Sequence, residues 1–197
     1  MKNSPAIKRL PLNCAGFCLA LLTLVAVLLT GPLTGRAEPA MEYQVKAAFL
    51  LNFLPFVEWP AAAFSDASTP ICIGVLGDDP FGPALDKMIE GEIIHNRKVV
   101  VKRFRQLDEL KTCHLLFISK SERGRINQIL GAVKDASTLT VSETDGFAKR
   151  GGIINFILEG NKIRFEINPS VARAKGLKIS SQLLERGRII GPEPARE

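Results

Sequence analysis

Only two histidines, His95 and His114, one tryptophan and one tyrosine occur in these 197 residues. A Ser-His-Asp hydrolase would have to use one of the two histidines. His95 sits in the turn-like run His95-Asn96-Arg97, and His114 follows Cys113, so a structural role is expected for both. There is no GxSxG nucleophile elbow. There is no GxxxxGK[ST] phosphate loop either, and Gly74-x-x-Gly77 falls short of the dinucleotide fingerprint. The few His and Cys residues show no zinc-site spacing. Asp78 and Asp79 are adjacent in sequence, so nothing makes them face one site as a glycosidase pair must. The expectation is no catalytic residue, no metal, no cofactor, and no enzyme.

A membrane-length apolar run is also missing. The run Phe17–Leu29 has 13 residues, against the ~20 of a bilayer span. Lys2, Lys8 and Arg9 precede it. Gly31, Pro32 and the small-residue exit Gly35-Arg36-Ala37 follow. Basic head, apolar core and cleavage site in that order describe a secretory signal peptide. Residues 1–37 are therefore read as removed, and residues 38–197 as one domain working outside the cytoplasm. The alternative is an uncleaved anchor. A lipid-anchored form fits less well, because Cys14 and Cys18 stand at the front of the apolar run rather than its end.

Charge of one sign is lacking once that segment is set aside. It carries four of the 26 basic residues and no acid, which leaves 22 basic against 20 acidic. The formal +6 thus shrinks to +2, and no electrostatic case for nucleic acid survives. Two of the four cysteines leave with it. Cys72 and Cys113 remain, an even pair in an oxidising compartment. Each opens an apolar run. If those runs are neighbouring parallel strands, the thiols lie side by side at one sheet edge. A structural disulfide is expected, worth roughly 4 kcal/mol in the chain-entropy model. A redox switch is the alternative.

What is present is an alternation of short apolar strands and helices. Residues 42–58 read as a helix bounded by Pro60, apolar on nearly every side from Ala47 to Val57. Such a helix is buried on most faces, in the core or partly against a partner. Strands are expected at 72–76, 99–104, 115–119 and 138–141. Helical segments follow the first three, near 83–90, 106–111 and 123–133. This is the rhythm of a mainly parallel sheet covered on both faces. Runs 152–158 and 162–167 flank Glu159-Gly160-Asn161, a hairpin signal. Helices over 169–174 and 180–188 close the chain. The fold class is α/β: a mainly parallel central sheet with helices on both faces, a C-terminal antiparallel hairpin and closing helices.

Polar clusters stand at three strand ends: Asp78-Asp79, Ser119–Glu122 and Ser142–Asp145. In an open parallel sheet these loops share the edge where ligands bind. Asp78, Asp79, Ser119 and Ser142 are thus candidates for a small-ligand cleft. Each also fits plain helix capping. Arg97, Lys98, Lys102, Arg103 and Arg105 form a basic cluster, read either as a solvated strand end or as a seat for an anionic ligand or acidic partner.

An ordered set of segments carries a family resemblance. It opens with Tyr43-Gln44-Val45-Lys46-Ala47-Ala48-Phe49-Leu50, running on to Glu58-Trp59-Pro60. Cys72-Ile73-Gly74-Val75-Leu76-Gly77, Cys113-His114-Leu115-Leu116-Phe117-Ile118-Ser119 and Leu139-Thr140-Val141-Ser142 follow. Gly152-Ile153-Ile154-Asn155-Phe156, Ile163-Arg164-Phe165-Glu166-Ile167-Asn168 and Gly176-Leu177-Lys178-Ile179-Ser180 complete it. Together they resemble the YfiR-like periplasmic proteins over essentially all of residues 38–197.

The resemblance implies a non-enzymatic periplasmic regulator. It would bind the periplasmic sensor part of an inner-membrane diguanylate cyclase or related sensor, hold it inactive, and lower cyclic di-GMP and biofilm formation. It further implies a sequestering outer-membrane lipoprotein, a homodimer, and a disulfide at the positions of Cys72 and Cys113. A second family disulfide has no cysteines to form it in residues 38–197. Phe49, Leu50, Phe53 and Leu54 are expected to contribute to the dimer or partner interface. A periplasmic small-ligand-binding module using the strand-end loops is the alternative function.

Overall fold

Pro55 sets the first boundary. The stretch expected as one helix over 42–58 forms α1 (Ala37–Phe53), a 3-10 turn (Leu54–Phe56) and a two-residue strand β1 (Val57–Glu58). Proline has no N–H for the helical ladder, so the chain tightens and leaves the helix there. The computed structural model describes residues 37–191. The expected signal segment, apart from its last residue, lies outside the described residues. From Pro39 to Gly191 the described residues form one compact unit.

After β1 come β2 (Ile71–Leu76), α2 (Pro83–Ile89), β3 (Ile93–Ile94), β4 (Arg97–Phe104) and β5 (Leu115–Ile118). Then follow α3 (Ile126–Ala132), β6 (Leu139–Ser142), β7 (Ile154–Glu159) and β8 (Lys162–Ile167). The chain closes with α4 (Pro169–Ala174), β9 (Lys178–Ile179), α5 (Ser181–Leu184) and β10 (Arg188–Ile189). Eight strands make one sheet in the order β10-β8-β7-β6-β5-β2-β4-β3. Neighbours from β4 across to β7 run parallel, and β10 is parallel to β8. The β7–β8 hairpin and the short β3–β4 pair are antiparallel. The expected α/β architecture is the one observed.

Strands β2, β5 and β6 are buried along their whole length. Both faces of a parallel sheet are covered, so these strands need no polar side. Ile71, Ile73, Val75, Leu115, Phe117 and Val141 pack beneath α1 and α2. Cys72, Leu76, Leu116 and Ile118 face the other way, against Ile126, Ile129 and Val133 of the α3 region and Phe147.

Three short pairings have no periodic signal in sequence. His95 and Asn96, at φ 52° and 60°, form the two-residue link between β3 and β4. Strand β1 pairs with β9, Val57 opposite Ile179. The helix expected over 180–188 stops at Leu184, and the chain turns into β10. Gly187 brings that turn close to β8. A Cβ there would stand 2.7 Å from the Phe165 ring and 2.8 Å from Ile167, a close approach that only glycine permits.

Candidate functional site

The loops after β2, β4 and β5 enclose an open cleft of about 710 Å³ at the C-terminal edge of the sheet. Asp78 and Asp79 line it together with Arg103, Arg105, Gln106, Glu109 and Glu122. Gly77, at φ +89°, turns the chain into the cleft. A Cβ on it would meet Ser121 Oγ at 2.5 Å. Asp79 Oδ1 accepts the N–H groups of Phe81 and Gly82 at 2.8 and 3.2 Å, an Asx turn that leads the chain to α2. Its other oxygen accepts Arg103 Nε at 2.8 Å. The rest of that guanidinium forks onto Asp86 at 2.8 and 2.5 Å. Asp86 is held below the usual carboxylate range by Arg103, and Arg103 is raised in turn.

Ser119 and Ser142 do not belong to this cleft. Ser119 is buried and its Oγ accepts the Ser121 N–H at 3.4 Å. Ser142 is fully buried. Its hydroxyl donates to Ile118 O at 2.8 Å and accepts the Thr144 N–H at 3.2 Å. Both are strand-end caps, the duller of the two readings open in sequence. Arg103 is the residue that sequence reasoning left in a basic cluster. Its spacing from Asp79 and Asp86 gave no local signal, because β4 lies a whole α2 crossover away.

The two cysteines meet as neighbouring parallel strands require. Cys72 on β2 and Cys113 just before β5 are buried free thiols with Sγ atoms 4.0 Å apart. The hydrogen bond to Cys72 and burial push the Cys113 thiol up. His114 closes the site from below. Its Nδ1 accepts the Cys72 N–H at 3.1 Å, so the ring proton sits on Nε2, which donates to Ala63 O at 3.1 Å. Phe64 stacks on the imidazole at 4.4 Å, and the Arg97 guanidinium lies 3.8 Å over Phe64. Burial holds His114 below the usual imidazole range. Both histidines thus have structural partners; His95 Nε2 lies 3.3 Å from Leu54 O.

Helix α1 corrects the expected interface. Leu50, Phe53 and Leu54 are 0%, 1% and 0% exposed, inside the domain's own core. The β7–β8 hairpin packs over them: the Phe53 ring is 5.1 Å from Phe165 and 6.0 Å from Phe156. Phe49 lies 5.7 Å from Phe165 and is only partly covered. Among the described side chains, the large apolar residues that α1 exposes are Met41 and Val45, 66% and 42% open. With Phe49 they stand at i, i+4 and i+8, along one line of the helix.

A partly buried ionic cluster pins that helix. Lys46 Nζ donates to Glu42 Oε1 at 2.5 Å and to Glu143 Oε2, while Tyr43 OH donates to Glu143 Oε1 at 3.0 Å. Burial and the Glu143 carboxylate push the Tyr43 phenol above its usual range. The signal for this in sequence was the single lysine inside an apolar helix. Among the described residues no group of three His, Cys, Asp or Glu is placed to hold a metal.

A family model described as YfiR/HmsC-like matches residues 43–188. No curated protein matches the sequence. Among solved structures, an ABC domain in complex with L-Trp from Streptococcus pneumonia is 10% identical, with a TM-score of 0.49, over 75% of this chain and 60% of that one. A conserved domain protein from Vibrio cholerae is 12% identical, also at 0.49, over 76% and 60%. The ligand-free, open form of a substrate binding protein with adhesive properties from Clostridium difficile is 11% identical, at 0.46, over 74% and 58%. The chain thus spans about 60% of the length of the first two structures.

Proposed function

The chain belongs to the YfiR/HmsC-like family, and on that premise we propose that it is an exported, non-enzymatic regulator acting in the periplasm. It binds the periplasmic sensor part of an inner-membrane diguanylate cyclase and holds the enzyme inactive. Cyclic di-GMP and biofilm formation fall as a result. Export removes residues 1–37, and Cys72 and Cys113 oxidise to a disulfide in that compartment. A homodimer is the working form, and an outer-membrane lipoprotein sequesters it to release the cyclase.

The family match over residues 43–188 carries this reading. An exposed apolar line on α1 supports it. The line of Met41, Val45 and the open part of Phe49 offers apolar contact on a helix that Lys46 and Glu143 fix to the sheet. Rigid apolar residues on a fixed element suit a protein partner better than a mobile loop does. The test is co-purification of the protein with the periplasmic segment of a membrane cyclase from the same cell, with Val45→Glu as the control. Binding that Val45→Glu abolishes supports the reading; no co-purification with either form removes it.

The alternative, a small-ligand module, has the charged cleft after β2 and β4 in its favour. It predicts a ligand-dependent rise in melting temperature that Asp78→Asn weakens.

A further inference from the structure

Strand β4 is covered along only part of its outer edge. Strand β3 pairs with it at Arg97 and Lys98 alone, and the Val99 N–H reaches Glu92 O at 3.1 Å. On the inner edge β2 pairs with it in register from Val99 to Phe104. Backbone groups alternate in direction along a strand, so those of Val101 and Arg103 point outward on the same side as the Val99 N–H. Among the described residues no backbone or side-chain group bonds them there. Val100 and Val101 are only half-buried, and β4 lies one strand in from the edge of the sheet, beside the two-residue β3.

An open edge recruits another strand, and the charges decide which. Lys98, Lys102 and Arg105 flank the open stretch, all exposed and without an acidic partner among the described salt bridges. Arg103 is satisfied by Asp79 and Asp86, and Arg97 by the carbonyls of Asp66, Ala67 and Thr69. A second copy paired edge to edge would set lysine against lysine, which is destabilising. An extended segment alternating acidic and β-branched residues meets the opposite charge. It also supplies the missing backbone bonds, the strand-addition mode of peptide recognition.

We propose that the β4 edge, centred on Val101 and flanked by Lys98 and Lys102, takes an extended acidic segment of a partner protein as an added strand. This rests on the regulator reading only in naming a partner; the edge itself is tested apart from any cyclase.

The probe is an N-acetylated heptapeptide alternating Val and Glu, titrated into the purified protein. Three further arms accompany it: the same peptide with alternate amides N-methylated, the peptide with Lys in place of Glu, and vesicles of phosphatidylglycerol. The expected result is saturable binding of the Glu peptide. N-methylation should weaken it at least about tenfold, because the added strand loses its ladder bonds while keeping its charge. Lys102→Glu should weaken it by a similar factor, and the Lys peptide should not bind. No binding, equal binding of the N-methylated peptide, or competition by the vesicles overturns the proposal. Each of those leaves the cyclase co-purification result standing.

Discussion

The imidazole Nδ1 of His114 accepts the backbone N–H of Cys72 at 3.1 Å, which ties the ring to the strand that carries one of the paired thiols. The bond requires a neutral ring. Protonation removes the acceptor and sets a cation beneath Phe64, with Arg97 already above it.

Stability should therefore fall in mild acid. The folded-state pKa of His114 is lowered by burial, so the unfolded chain takes up the proton first. Where the unfolded state binds more protons, stability rises with pH. The contribution is fully present above the ordinary imidazole pKa of about 6.5 and is lost as pH falls below it, down to the lowered folded value. Melting curves between pH 7.5 and 5 should show the loss, and His114→Gln should flatten it. An unchanged slope in that variant contradicts the assignment.

Gly74 should not tolerate alanine. A Cβ there would meet Cys113 Sγ at 2.5 Å and the Phe104 ring at 2.8 Å, both in the buried layer. Overpacking of this kind costs about 1–3 kcal/mol. Denaturant unfolding of Gly74→Ala checks it.

The exported protein should carry the Cys72–Cys113 bridge. The thiols already stand 4.0 Å apart, Cys72 on β2 and Cys113 just before its neighbour β5. Intact mass should read two hydrogens below the reduced chain, and a denatured sample should show no titratable thiol. Replacing both cysteines by alanine should cost roughly 2–4 kcal/mol relative to the oxidised form. Two free thiols in protein taken from the periplasm contradict the expectation.

Helix α1 should divide cleanly into core and surface. Phe53→Ala should cost about 3–5 kcal/mol, because the ring is buried against Phe156 and Phe165. Val45→Ala should stay within about 0.5 kcal/mol, since its side chain is largely open to solvent. Equal losses at both sites would mean that Val45 is covered in the working protein.

What the sequence disclosed follows from how local each signal is. The strands β2 and β5 showed as unbroken apolar runs because a doubly covered sheet leaves them no polar side, whereas β6 buries the hydroxyls of Thr140 and Ser142. The β7–β8 hairpin showed through Glu159-Gly160-Asn161. Strands of two residues, such as β3 and β10, are too short to have a period, and the close approach of Gly187 to Phe165 and Ile167 is a tertiary contact with no local signal. Leu50, Phe53 and Leu54 looked available to a partner because the apolar helix alone does not reveal that the hairpin wraps it. Asp78 and Asp79 were found at a strand end, but Arg103 joins Asp79 and Asp86 only through the crossover.

Regulation by direct contact is most directly tested by calorimetric titration of the purified protein into the periplasmic segment of a membrane diguanylate cyclase from the same cell. The account predicts saturable binding with a Kd at or below about 10 μM, lost in Val45→Glu while the melting temperature holds. No binding at about 100 μM with both proteins folded contradicts it.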